Sequence, residues 1–159
     1  MAGVIYKVSA GVLNEGERLH TTIDNRFITI FKNKTELSCI DSICHHAGGP
    51  LTLGALRDIE DLSGLTVVLC PWHNFMVSIK DGVKVYQGVE VIDGKPVKQG
   101  WKIGKVVQRP HKVYETEAGL FVSLQITDDP VTSDNDACSV RCAQAFTLHP
   151  EAPSIATDV

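Results

Sequence analysis

Two short stretches constrain this chain more than anything else in it: Cys44-His45-His46-Ala47-Gly48-Gly49-Pro50-Leu51 and Cys70-Pro71-Trp72-His73. Each sets a thiol and an imidazole in a tight loop, as Cys-x-His in the first and Cys-x-x-His in the second. Together they offer two sulfurs and two nitrogens. That donor set completes a tetrahedral zinc site, and it also suits iron–sulfur chemistry, so the ligand types alone leave the metal open. The neighbouring residues narrow the choice. Gly48, Gly49, Pro50 and Pro71 permit turns that bring backbone N–H groups close to a buried anion. Sulfide and thiolate sulfurs take such donors, whereas a zinc knuckle needs only a ligand turn.

The rest of the chain bounds what those loops are built on. Its 159 residues suit one domain with a single core. A net charge of −4 repels phosphate backbones, which argues against nucleic acid as a partner. The N-terminal MAGVIYKVSAGVLNEGERL lacks a basic region followed by a long apolar run, so no secretory signal is read there. No stretch approaches the roughly 18 apolar residues that span a bilayer. A soluble, cytoplasmic chain without membrane insertion is expected, as a monomer. The five cysteines are Cys39, Cys44, Cys70, Cys138 and Cys142, an odd number that argues against a disulfide framework.

Periodicity points to strands. Segments near 3–8, 26–31 and 35–41 are rich in β-branched and apolar residues, with Asp24-Asn25 and Lys32-Asn33-Lys34 as turns. Lys80-Asp81-Gly82 between 75–79 and 83–86 reads as a hairpin turn, as does Glu117-Ala118-Gly119 between 112–116 and 120–126. In that last strand Leu120, Val122, Leu124 and Ile126 share one face, which is expected to be buried. Residues 55–64 have room for a helical turn, and no longer amphipathic helix is evident. Short strands with frequent turns predict an all-β sandwich or barrel. Residues 128–159, with three prolines and no periodicity, read as an irregular tail that lies on the surface or stays disordered.

Taken together, CHHAGGPL and CPWH resemble the Rieske pattern, and within it the soluble Rieske-type ferredoxins, over roughly residues 4–126. The resemblance implies a Rieske fold over residues 1–127: an antiparallel β-sandwich or barrel base with a cluster-binding subdomain of two loops, 42–53 and 68–79. It implies one [2Fe-2S] cluster, with Cys44 and Cys70 as thiolate ligands of one iron and His46 and His73 as imidazole ligands of the other. His45 falls at a variable position and receives no ligand role. Three departures stand out. Between His46 and Cys70 lie 23 residues, more than in many members, with the acidic RDIEDLSG as the added length. Asn74 follows the second histidine where many members have Gly. The positions that bridge the loops by a disulfide in respiratory-complex members are Gly49 and Trp72. High-potential members also carry a Ser two residues beyond the second histidine and a Tyr two further on, where this chain has Phe75 and Val77.

The implied function is that of a soluble one-electron carrier, passing electrons from a reductase to an oxygenase or other terminal enzyme. It is not that of an enzyme. With neutral imidazoles the site would change from about zero to about −1 on reduction, a small charge to accommodate. The readings weighed against it are a catalytic oxygenase, a nitrite-reductase-like small subunit of a larger oxidoreductase, and a structural zinc module. The oxygenase would need a second iron held by two histidines and a carboxylate. Among His20, His45, His111 and His149 no such arrangement is seen. Cys39 is expected in the core, Cys138 and Cys142 as free thiols on a mobile segment, and His20 and His111 facing solvent. Trp72 and Trp101 read as packing residues. The acidic Asp58, Glu60 and Asp61 are candidates for steering a partner, and the terminal Thr157-Asp158-Val159 has the look of a PDZ-type ligand.

Overall fold

The computed structural model describes residues 4–144 and the backbone of residues 155–156. Its strands are β1 (Ile5–Ser9), β2 (Arg18–Ile23), β3 (Arg26–Asn33), β4 (Glu36–Asp41), β5 (Ala55–Ile59) and β6 (Leu65–Leu69). β7 (Met76–Ser78), β8 (Val83–Ile92), β9 (Lys95–Val106), β10 (Pro110–Thr116), β11 (Gly119–Ser123) and β12 (Ile155–Ala156) complete the set. They form a seven-stranded sheet, in the order β1-β11-β10-β4-β3-β2-β12, and a five-stranded one, β5-β6-β7-β8-β9. The all-β architecture expected from the alternating pattern is the one observed. The Arg57 guanidinium on edge strand β5 lies 5.1 Å over the Trp101 ring on edge strand β9, so the smaller sheet nearly closes on itself like a barrel. No helix among the described residues is long and apolar enough to cross a membrane. The terminal Thr157-Asp158-Val159 lies outside the described residues.

Local chemistry accounts for most turns. Asp24 and Asn25 adopt φ of 51° and 65°, the doubly left-handed turn that matches the twist of a hairpin. Asp93 and Gly94 do the same at 52° and 76° and close the long β8–β9 hairpin. The helical turn for which 55–64 has room is the 3-10 turn Glu60–Leu62, which follows the pairing of Ala55–Ile59 with Leu65–Leu69. The face expected along 120–126 is buried at Leu120 and Val122, but Ile126 is exposed because β11 ends at Ser123 and the chain turns away.

The core has two main parts. Val8, Ile23, Ile28, Ile30, Cys39, Leu120 and Val122 fill the larger sheet, and Cys39 is the buried hydrophobe expected of it. Phe31, Ile40, Leu51, Val68, Val77, Ile79 and Val107 pack directly beneath Cys44 and Cys70. Behind these lies a buried polar network. Asp41 accepts from Arg26 at 2.7 and 2.6 Å and from His111 Nε2 at 2.8 Å. The hydroxyl of Ser133 also donates to it. Burial alone would raise the Asp41 pKa, but the hydrogen bonds from His111 and Arg26 outweigh it and hold the carboxyl below its usual value.

His20 and His111 are therefore not solvent-facing, contrary to their reading from sequence. The His111 ring donates to Asp41 and accepts the Gln125 N–H at 3.0 Å, which fixes its tautomer. His20 is fully buried, its Nδ1 set 2.8 Å from Ser42 Oγ and 3.2 Å from Thr52 Oγ1. An isolated histidine on a polar-looking strand gives no sign of such partners, which come from residues up to 32 positions away.

Where it is described, the segment after β11 is tied to the domain by side-chain and backbone contacts. Asp134 bridges Arg26 at 2.6 Å and Arg109 at 2.8 and 2.7 Å. The Phe27 N–H donates to the Ala137 carbonyl. A single helical turn, Val140–Ala143, sets Cys142 and Ala143 against Ile43 and Phe27. Cys138 is exposed and both thiols are free.

Burial pulls the His20 pKa down from 6.5 to about 4, with a backbone hydrogen bond at Ile28 opposing. The folded pKa lies below the unfolded one, so folding excludes a proton there. This costs nothing above pH 6.5 and grows as the pH falls toward 4, to a penalty on the order of 3 kcal/mol. His20→Gln should be less stable than wild type at pH 7 but lose less stability on acidification to pH 4.5. Denaturant unfolding at the two pH values measures this, and parallel losses in both proteins would rule His20 out as the acid-sensitive group.

Candidate metal centre

The two loops that carry the predicted ligands are built on one plan. In the first, which follows β4, the Cys44 N–H donates to the Gly49 carbonyl at 2.8 Å and the Gly48 N–H returns to the Cys44 carbonyl at 3.0 Å. In the second, between β6 and β7, the Cys70 N–H donates to the Phe75 carbonyl and the Asn74 N–H to the Cys70 carbonyl, both at 2.8 Å. Each cysteine thus closes a loop through residues four and five positions on. The fourth residue takes a left-handed conformation in both, Gly48 at φ 77° and Asn74 at 59°. Asn is among the few non-glycine residues that tolerate this conformation, which explains how Asn74 stands where a glycine is common. The loops also touch. A Cβ built on Gly49 would lie 2.5 Å from Cys70 Sγ and 3.2 Å from the Trp72 ring, so only glycine lets them meet this closely. Where a disulfide would join the loops, the indole of Trp72 instead covers the bare backbone of Gly49.

The four predicted residues fall into two pairs. Cys44 and Cys70 are buried, and one hydrogen bond joins their sulfurs. That bond pulls Cys70 down to about 6 against the effect of burial, with the Trp72 and His73 N–H groups helping. The same bond, with burial, pushes the Cys44 thiol far up, while the N–H groups of His46 and Ala47 oppose. Backbone donors therefore surround both sulfurs, as the glycine and proline content led one to expect. His46 and His73 sit outside this pair, exposed, with ring centroids 5.1 Å apart and planes at 83°. Beneath them Phe75 stacks on His46 at 4.0 Å. Among the described residues no three His, Cys, Asp or Glu side chains converge on one point. The donors are split into a buried sulfur pair and an exposed nitrogen pair. His45 is half-buried, with its ring against the edge of Phe75 at 5.8 Å and its Nδ1 3.9 Å from Cys44 Sγ. Burial holds its pKa below the usual imidazole value, Gln108 opposing and the charges of His46 and Lys84 adding. Trp101 packs into the small sheet, whereas Trp72 is 46% exposed.

Gln108 escaped the sequence reading. It is fully buried, and its Nε2 donates to the Asp41 and Ile43 carbonyls at 3.0 and 2.6 Å. Its Oε1 accepts the His45 N–H at 3.1 Å. The side chain therefore holds both ends of the approach to Cys44. Nothing in the string Val107-Gln108-Arg109 signals this, because its partners lie 63 to 67 residues earlier. Gln108→Leu keeps much of the volume and strands two buried carbonyls and the half-buried His45 N–H. A loss of about 3 kcal/mol is expected, at roughly 1–3 kcal/mol per unsatisfied group with some relaxation. A loss under about 0.5 kcal/mol in denaturant unfolding, the range of an ordinary surface change, would show that the loop is held by other means.

The relationships of the chain agree with this geometry. Residues 9–127 match the soluble Rieske-type ferredoxin family. A human Rieske domain-containing protein is 32% identical over 124 residues, covering 78% of this chain and 75% of that protein. Among solved structures, a candidate NADH-dependent nitrite reductase small subunit from Mycobacterium tuberculosis superposes with a TM-score of 0.50. It is 13% identical over 72% of this chain and 88% of its own. A chain from an oxygenase–ferredoxin complex of carbazole 1,9a-dioxygenase gives 0.51 at 20% identity, over 76% of this chain and 28% of that one. At these identities the structural likenesses speak for the fold alone. The match over most of the chain, with the human relative beside it, places this protein in the soluble Rieske-type ferredoxin family.

Proposed function

We propose that Cys44, His46, Cys70 and His73 hold one Rieske [2Fe-2S] cluster and that the protein carries single electrons between partner proteins. The observation that carries this reading is the sorting of donors, with two hydrogen-bonded thiols inside and two imidazoles outside. A cluster held there would supply one-electron redox chemistry. The chain's own part is to keep both sulfurs dry, to surround them with backbone N–H groups, and to present the imidazole edges at the surface. With the cluster held there, the exposed His46 and His73 edges would offer an electron a way out without opening the fold. The donor would be a reductase, and the acceptor an oxygenase or other terminal enzyme, supported by the ferredoxin family and by the oxygenase–ferredoxin complex that shares the fold. A soluble, cytoplasmic monomer fits this role.

The small-subunit reading shares the same fold and is favoured by the nitrite reductase likeness. It differs in what the ligands are for, since a carrier must be reduced and reoxidised as a free protein. Reduction of the isolated protein by a flavin-dependent NADH reductase, followed by reoxidation by a second protein, tests the carrier reading. A cluster that cycles only within a stable complex with a larger subunit would favour the other.

A further inference from the structure

The five-stranded sheet ends in an arm. β8 pairs with β7 only at Met76↔Val85 and Val77↔Lys84, whereas β8 and β9 pair onward to Ile92↔Lys95. Beyond Tyr86 the two strands stand as a ribbon closed by Asp93-Gly94, with no sheet neighbour on either side among the described residues. A lone two-stranded ribbon has little to stabilise it. Yet its outer part displays apolar groups, with Val89 62%, Val91 70%, Ile92 45% and Val97 39% exposed. Between them β9 carries Lys95, Lys98, Lys102 and Lys105, none of which forms an ion pair with a described residue. With Lys84, and against Glu90 and Asp93 on the same hairpin, residues 83–106 carry a net charge of +3 in a chain of net charge −4, with apolar groups exposed beside the lysines. The root of the arm adjoins the metal centre. A hollow of about 230 Å³ is lined by His73 and Phe75 on one side and by Lys84, Tyr86 and Gln87 on the other.

We propose that this arm is the docking surface for the redox partner, and that the partner meets it with a carboxylate-rich face around its own redox centre. The inference rests on the electron-carrier reading and adds the partner's chemistry to it. Lysines on an edge strand serve also to block sheet extension, but that role gives no reason to expose four apolar side chains beside them. Unpaired lysines steer an acidic face at long range, and the valines bury against it on contact. The acidic stretch on β5 and the turn after it is less free to serve: Asp58 accepts from Thr66 and lies 3.6 Å from Lys34.

The test uses the cluster-loaded, dithionite-reduced protein in stopped-flow oxidation. The acceptors are the soluble haem domain of cytochrome b5, an acidic protein, and a small neutral quinone. Lys95→Glu/Lys98→Glu/Lys102→Glu should slow oxidation by the haem domain about tenfold or more at low ionic strength. The difference should shrink in high salt, where charges a Debye length apart no longer interact. Val89→Ser/Val91→Ser should slow it in a salt-independent way, and both variants should react with the quinone as wild type does. Unchanged rates with the haem domain in both variants overturn the docking surface while leaving the carrier reading intact. Failure of wild type to reduce even the quinone is the failure of the carrier reading itself. Lysine-dependent binding to vesicles of phosphatidylserine and phosphatidylcholine, with unchanged haem-domain rates, would overturn the protein partner in favour of a membrane surface.

Discussion

Cys44→Ser, His46→Ala, Cys70→Ser and His73→Ala are each expected to leave the purified protein with little or no iron and acid-labile sulfide. The two loops meet through a sulfur–sulfur hydrogen bond and a glycine contact, with few apolar side chains of their own at the tip. Ligation is therefore expected to hold the tip together, and protein without its cluster should also be less stable. Gly49→Ala should have a comparable effect without touching a ligand. Its methyl group would sit 2.5 Å from Cys70 Sγ, closer than a non-bonded carbon and sulfur can approach, so the loops must part. At least a tenfold loss of bound iron is expected, in the range seen when groups supporting a metal ligand are disturbed. His45→Ala, in contrast, should keep its cluster, because that ring packs on the edge of Phe75 and meets Cys44 only through a long 3.9 Å contact from Nδ1 to the sulfur. Iron and sulfide determinations on the purified variants decide each case. A full complement in any ligand variant removes that residue from the set.

The second large effect concerns the reduction potential, which is expected at the low end of the roughly −150 to +300 mV that Rieske centres span. Hydrogen bonds to the cluster sulfurs and to Cys stabilise the added electron and raise the potential. At the two positions where high-potential members carry Ser and Tyr, this chain has Phe75 and Val77. Phe75 stacks on His46 and Val77 is buried beneath the loops, and neither has a side-chain donor. The backbone N–H groups around both sulfurs remain, but they follow from the shared loop plan and do not distinguish one member from another. Protein-film voltammetry near neutral pH reads the midpoint directly. A value near +300 mV would show that something other than these two side chains sets the potential.

What the sequence disclosed, and what it hid, follows from the range of the interactions. The two Cys/His loops were legible as one candidate site because each pair lies within four residues and is surrounded by Gly and Pro. The Asp24-Asn25 turn was legible for the same reason, since a left-handed dipeptide is a local signal. The β8–β9 hairpin was readable only at its start, although Asp93-Gly94 is an equally local signal further on. Hidden were the groups whose role depends on distant partners. Asp41, Arg26, His111 and Asp134 look like ordinary surface residues in the string, and only the fold brings them into one network. Gln108 is the sharpest case, because it supports the first loop from more than 60 residues downstream. The descent of residues 131–143 onto Ile43 and Phe27 was likewise invisible, because short apolar contacts without periodicity look the same as disorder.

The most direct test of the metal centre is electron paramagnetic resonance of the purified protein before and after dithionite, with visible absorption recorded on the same samples. The expected result is a brown protein, silent when oxidised, that gives a rhombic signal on reduction with about one spin per chain, as one [2Fe-2S] cluster accepts one electron. A colourless protein that binds zinc tightly through Cys44, His46, Cys70 and His73, and stays silent after dithionite, would contradict it.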